Sequence, residues 1–298
     1  MSRNLTIAES FATEAANAKD HLLTAVTESL RNIDFDDVPA AAAAGAGDMI
    51  DMVDTAATVA KMLDGLDGLP TEPPSLYFDV EGENLSRHGS VSILQLHVLP
   101  SNRTFLVDVH TLQDTAFSTP GENGRTLREI LECDGIPKVF FDVRNDSDAL
   151  HSHFNIRLAG VQDLQLMELV TRSFSTRFIS GLAKCIERDA PLPSPQLTAW
   201  KAVKDAGVSL FAPERGGSYG VFAERPLCDA IRLYCAQDVQ ILPRLWSHYK
   251  SKMTSLSTER VREESNARVA LSQSPDFNGR GRHMARCPTG WYIDPDCL

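Results

Sequence analysis

Between residues 75 and 109 the chain carries three apolar runs, SLYFDVE (75–81), SVSILQLHV (90–98) and TFLVDV (104–109), separated around Gly89 and by residues 100–103. Runs of this length, rich in branched and aromatic side chains and bounded by turn residues, predict strands. Three at such short spacing predict an antiparallel meander, because parallel neighbours need a dozen or more residues between them. Beyond the meander the pattern changes. Helices are expected over 125–132, 146–154, 180–189 and 196–205, with short strands at 137–141 and 161–164. Strands alternating with helices imply crossovers, so the fold class is α/β, a mixed and partly parallel sheet flanked by helices.

The flanks divide the chain. Residues 1–47 combine a loose amphipathic pattern with an Ala/Gly tract, predicting an N-terminal helical extension and a linker, the first 33 residues being a possible docking segment for a protein partner. The main domain is expected over 48–252, opening with a helix over 49–66 and closing with a long helix over 227–253, bent near Pro243. Residues 253–298 predict a C-terminal helix and a flexible tail, turn-rich and poorly packed after Gln273, that carries Arg280, Arg282, His283 and Arg286. Six cysteines without C-x-x-C spacing, and a start without signal character, predict a reducing intracellular compartment, cytoplasmic or nuclear. No apolar run approaches the ~20 residues needed to span a bilayer, so no membrane role is expected. Twenty-nine basic against forty acidic residues give a net charge of −11, which repels nucleic acid in bulk; a polyanion would have to be held locally.

Asp79 and Glu81 end the first run one residue apart, so strand alternation puts both on one face about 7 Å apart. Like charges there call for a cation between them, unless both are simply solvated. A second acidic site lies in KVFFDVRNDSDALHSHF, where Asp142, Asp146 and Asp148 compete and helix capping by Asn145 or Asp146 is the alternative. In a third, IRLYCAQDV, Tyr234 and Asp238 are four apart and project from one helix face.

These motifs in this order, D-x-E-G, then L-Q-L, F-D-x-R-N-D-S-D-x-L, Q-D-L and Y-x-x-x-D-V, resemble the DEDDy branch of the 3'-5' exonucleases, which includes RNase D, Werner-type and Egalitarian-like exonuclease domains. The resemblance covers about residues 50 to 252 and implies a ribonuclease H-like (DnaQ-like exonuclease) fold. Carried over by position, it implies Asp79, Glu81, Asp146, Tyr234 and Asp238 as the catalytic residues, Asp146 being selected over its neighbours by the aromatic Phe154 eight residues on. It implies two divalent cations, Mg²⁺ or Mn²⁺, about 4 Å apart, held by Asp79, Glu81, Asp146 and Asp238, with Tyr234 orienting the attacking water. The implied substrate is single-stranded RNA or DNA with a free 3' end, RNA favoured, cut to nucleoside 5'-monophosphates.

Backbone N–H groups of Gly82 and Glu83 are expected at the terminal sugar, and Arg87, His88, Arg144 and Arg215 at phosphates. Phe141, where RNase D has His, and Phe222, where a Trp often precedes R-P-L, are departures that bear on substrate choice. The competing expectation is a binding module of RNA-silencing or RNA-transport type that keeps the fold without turnover.

Overall fold

The computed structural model describes residues 49–190 and 192–292; the extension and linker expected over 1–47 lie outside them, as does Cys297. Six strands form one sheet: β1 (Met49–Val53), β2 (Leu76–Glu81), β3 (Ile93–Val98), β4 (Arg103–Val107), β5 (Lys138–Phe140) and β6 (Val161–Asp163), in the order β1-β4-β3-β2-β5-β6. The expected meander is present as β2, β3 and β4, while β5 and β6 continue from β2 in parallel and β1 joins β4 in parallel. The helices are α1 (Ala56–Asp64), α2 (Val109–Leu112), α3 (Thr115–Ser118), α4 (Leu127–Glu132), α5 (Arg144–Phe154), α6 (Leu164–Thr171), α7 (Leu182–Asp189), α8 (Ser194–Phe211), α9 (Asp229–Gln240), α10 (Leu242–Lys250) and α11 (Ser255–Ser272). No described helix is long and apolar enough to cross a membrane.

Both faces of the sheet are covered, which is why its central strands read as nearly continuous apolar runs. On one face Leu76, Phe78 and Val80 of β2, with Leu94, Leu96 and Phe105, pack against α1, α4 and α5. Phe78 stacks on Phe140 of β5 at 5.5 Å between centroids, and complete burial of such a ring contributes about 2–3 kcal/mol. On the other face Tyr77 and Val139 meet α6, α7 and α10, while Ile93 and Leu106 lie beneath α9.

The structure departs from the sequence reading at several places. Residues 49–53, expected to open a helix, are an edge strand paired from Met49↔Arg103 to Val53↔Val107, with an ion pair of 2.8 Å between Asp51 and Arg103. Five residues are too few to separate a 3.6-residue from a 2-residue period, so pairing with β4 decides, and the helix starts only after the capping box of Thr55 and Thr58. The helix over 196–205 runs on to Phe211, and the long helix over 227–253 is two helices, parted at Ile241 with Pro243 in the first turn of the second. Residues 273–292, expected to be poorly packed, lie against the domain: Trp291 is buried, and Arg87 donates to the carbonyls of Ser272, Ser274 and Pro275 at 2.8–2.9 Å. Their anchors come from distant parts of the chain, which local composition does not register.

Candidate active site

Asp79 and Glu81 share the face of β2 that bears Tyr77, the face covered by α9. β5 pairs with β2 only at Leu76 and Tyr77 and ends at Phe140, so the chain parts from the sheet beside Asp79 and Glu81. A cleft at the carboxyl ends of parallel strands results, the usual ligand position in an open α/β sheet. Asp79 and Glu81 are enclosed on most sides but keep a solvent-facing edge.

The turn that opens the cleft is fixed by charge. Asp142 adopts a left-handed conformation (φ 62°), and the Asp163 carboxylate accepts from the backbone N–H of Asp142 (2.9 Å), Val143 (3.3 Å) and Gln165 (3.0 Å). Arg268 of α11 donates to Asp163 at 2.7 Å, so the C-terminal helix holds the start of α5 through a buried ion pair. The three competing aspartates are thereby sorted. Asp142 pairs with Arg144 at 2.5 Å and Asp148 with Arg87 at 2.7 Å, whereas Asp146, buried in the first turn of α5, forms no ion pair among the described residues and feels the negative charges of Asp79 and Glu81. Helix N-termini favour a negative group at that position.

On the opposite wall α9 presents Tyr234 and Asp238 from neighbouring turns, as the spacing predicts. A carboxylate oxygen from each of Asp79, Glu81 and Asp238 lies within 4.8 Å of the others. Burial pushes all four carboxyls up, and neighbouring carboxylates add to it in three of them. For Glu81 the chief charges are Asp79 and Asp238; for Asp146 they are Asp79, Asp142 and Glu81; for Asp79 it is Asp238. In Asp238 burial outweighs the opposing Lys204 ammonium. Burial and the charges of Glu81, Asp238 and Asp79 raise Tyr234 too, so its phenol stays protonated.

Lys204 was not singled out from the sequence. Its ammonium lies 2.5 Å from Asp238 Oδ2, 3.2 Å from the Tyr234 hydroxyl and 4.2 Å from the centre of the Tyr234 ring. It gets there because α8 lies directly on α9 at Gly207, where a methyl group would stand 2.5 Å from Tyr234 Cδ2. Thirty and thirty-four positions separate Lys204 from its partners, so no spacing in the sequence could have marked it.

Most of the residues expected at the substrate are otherwise engaged. Arg87 uses its guanidinium on Asp148 and three backbone carbonyls, and Arg144 on Asp142 and the carbonyl of Met284, so both brace the fold. The Glu83 N–H donates to Ser90 Oγ at 3.1 Å. Gly82 lies so near Ser90 that a Cβ would stand 2.1 Å from its carbonyl oxygen; it permits the tight return of this loop. His88 is exposed, and Arg215 forms an exposed pair with Asp205 at 2.8 Å on the outer side of α8.

The geometry defines an acidic cleft on a mixed sheet, and the comparisons agree with it: residues 50–254 match the 3'-5' exonuclease family, and the chain belongs to that family. Among curated proteins it is similar to the piRNA biogenesis protein EXD1 of Mus musculus, 38% identical over 96 residues, and to that of Homo sapiens, also 38% over 96. The matched stretch is 32% of this chain and only 15% and 17% of those longer proteins. Among solved structures, Trypanosoma brucei RNase D in complex with RNA U12 superposes with a TM-score of 0.65 at 20% identity, covering 90% of this chain and 81% of that one. The catalytic core of RRP6 from the same organism gives 0.53 at 15% identity, covering 74% of this chain and 52% of that one. These structures share the fold.

Proposed function

We propose that this protein is a divalent-metal-dependent 3'-5' exonuclease that hydrolyses the terminal phosphodiester of single-stranded nucleic acid, RNA in preference to DNA, releasing nucleoside 5'-monophosphates. The observation that carries this reading is the convergence of Asp79, Glu81 and Asp238, with a single ammonium on Asp238 and with Asp146 near enough to feel the charges of Asp79 and Glu81. The site fits a hard cation. Its donors are all oxygen, and Asp238 Oδ1 is buried without a hydrogen-bond partner among the described residues, a state that costs about 1–3 kcal/mol unless something satisfies it. Asp79, Glu81, Asp238 and Asp146 would hold two Mg²⁺ or Mn²⁺ ions, their four negative charges matching four positive ones. Bound there, such ions polarise the phosphodiester and lower the pKa of water.

The chain's own groups do the remaining work. Tyr234, a proton donor with the Lys204 ammonium over the face of its ring, orients the attacking water in line with the bond to the leaving 3'-oxygen. Lys204 keeps Asp238 and Tyr234 in register and offsets part of the charge that a phosphate would otherwise meet. The preference for RNA is supported by the names of the relatives, a piRNA biogenesis protein and an RNase D with bound RNA. The test is degradation of end-labelled single strands in Mn²⁺ by the wild type, Asp79→Asn and Asp238→Ala, on matched RNA and DNA. A ladder growing from the 3' end in the wild type alone is expected; one that persists in both variants would mark a contaminant and end the assignment.

A further inference from the structure

The chain is acidic overall, yet residues 280–286, RGRHMAR, hold three arginines and a histidine with no acid among them. This segment crosses the two elements that carry the acids. Arg280 donates to Asn84 Oδ1 at 3.2 Å, three residues beyond Glu81. The backbone at Gly279 lies on Asn145, the residue before Asp146, so closely that a Cβ would stand 2.1 Å from Asn145 Oδ1. Arg144 holds the carbonyl of Met284 at 2.9 Å. The segment then pairs with residues 177–179: the Ile179 N–H donates to the Ala285 carbonyl at 3.0 Å and the Cys287 N–H to the Arg177 carbonyl at 3.2 Å.

The segment is tied to the domain through these bonds, one of them from the buried Arg144, while its charges stay at the surface. Arg280, Arg282, His283 and Arg286 are exposed, and the three arginines form no ion pair among the described residues, unlike Arg87, Arg144 and Arg268 beneath them. Beside Arg286, Phe178 is 50% exposed with the Arg177 guanidinium 5.4 Å from its ring centre; Phe174 is 47% exposed and flanked by Arg172 and Arg188 at 4.8 Å. Arg282 and Arg286, without ion pairs among the described residues and beside the exposed Phe178 ring, offer what a single-stranded nucleic acid needs, phosphate contacts along the backbone and a face on which a base stacks.

We propose that residues 279–286, together with Phe178, form the rail along which the single strand approaches the acid cleft, Arg282 and Arg286 contacting phosphates on the 5' side of the scissile one and Phe178 stacking on a base. This rests on the nuclease reading but is tested apart from it. Binding of a labelled RNA dodecamer and of a dinucleotide is measured by fluorescence anisotropy over a range of salt, in Mg²⁺, with the full chain carrying Asp238→Ala to stop turnover. Adding Arg282→Ala and Arg286→Ala should weaken the dodecamer about tenfold, shrink its advantage over the dinucleotide and reduce the salt slope by about 1.4, two phosphate contacts on a single strand. Phe178→Ala should weaken it severalfold, and Phe178→Tyr, which keeps a ring, should not.

Arg125→Ala with Arg262→Ala removes the same charge from elsewhere on the surface and should change little. If that pair lowers affinity equally, or the rail variants keep the wild-type affinity and slope, the rail is overturned. A wild type that binds the dodecamer through these residues but never cuts it removes the nuclease reading and leaves the rail; cutting that is indifferent to them does the reverse.

Discussion

Glu168, Cys185 and Asp189 bring potential ligand atoms as close together as Asp79, Glu81 and Asp238 do, within 4.8 Å in each case, but the charges around them differ. Glu168 is gripped by Arg172 and by Arg188 at 2.5 Å; Asp189 takes two bonds from Arg188, at 2.6 and 2.8 Å, and one from the Tyr249 hydroxyl at 2.9 Å. Burial first, and Glu168 second, push the Cys185 thiol up to about 12, so it stays protonated and is a poor ligand. Among the described residues, the cleft acids have one ammonium among four carboxyls and a buried oxygen with no partner. Proximity of acids is therefore uninformative by itself; what separates an ion-pair network from a cation site is whether arginines already supply the positive charge.

Four experiments press on that contrast. Asp238→Ala should lower exonuclease turnover by about a thousandfold or more, since several kcal/mol of charge stabilisation depend on the cation site, and should abolish Mn²⁺ binding followed by calorimetry. Retained Mn²⁺ binding would erase the distinction between the clusters. Glu168→Gln should leave Mn²⁺ affinity unchanged yet destabilise the fold by about 3 kcal/mol in urea titrations, because two guanidinium groups lose a buried partner.

A buried group with no opposite charge gives the third experiment. His97, wholly enclosed in β3, is lowered to about 4 by burial. Below its unfolded value of about 6.5 protons favour the unfolded chain, so its contribution is complete above that pH and is lost as pH falls towards 4. Wild type should lose about 2 kcal/mol more than His97→Phe between pH 7 and pH 5. Parallel curves would show that the imidazole is not held neutral. The smallest effect is expected for Lys204→Met: Mn²⁺ binds about fivefold tighter, with no ammonium competing for Asp238, while turnover falls because Tyr234 loses its neighbour. Weaker Mn²⁺ binding would mean that the ammonium does not rival the ion for Asp238.

Much of the site was legible because strand and helix periods act over a few residues. Asp79 with Glu81, and Tyr234 with Asp238, each face one way by spacing alone. The choice of Asp146 rests on the family resemblance, since local spacing leaves capping as an equal alternative; in the structure Arg144 and Arg87 pair with the other two aspartates, while Asp146 has no ion pair among the described residues. What stayed hidden was long-range: β1 needs β4 to be a strand, Arg268 reaches Asp163 across 105 positions, and Arg87, expected at a phosphate, is consumed in clasping the C-terminal segment. An arginine looks alike in a sequence whether it meets a ligand or a carbonyl.

Gly207 shows where such hidden dependence leads. Helices α8 and α9 touch there with no room for a methyl group, and that separation is what brings the Lys204 ammonium to Tyr234 and Asp238. Gly207→Ala would wedge the helices apart and leave the lysine stranded, so its Mn²⁺ affinity should move as in Lys204→Met although every acid is untouched. A relative bearing all five motif residues but a bulkier neighbour at this contact could carry a complete set of carboxylates and still turn over more slowly.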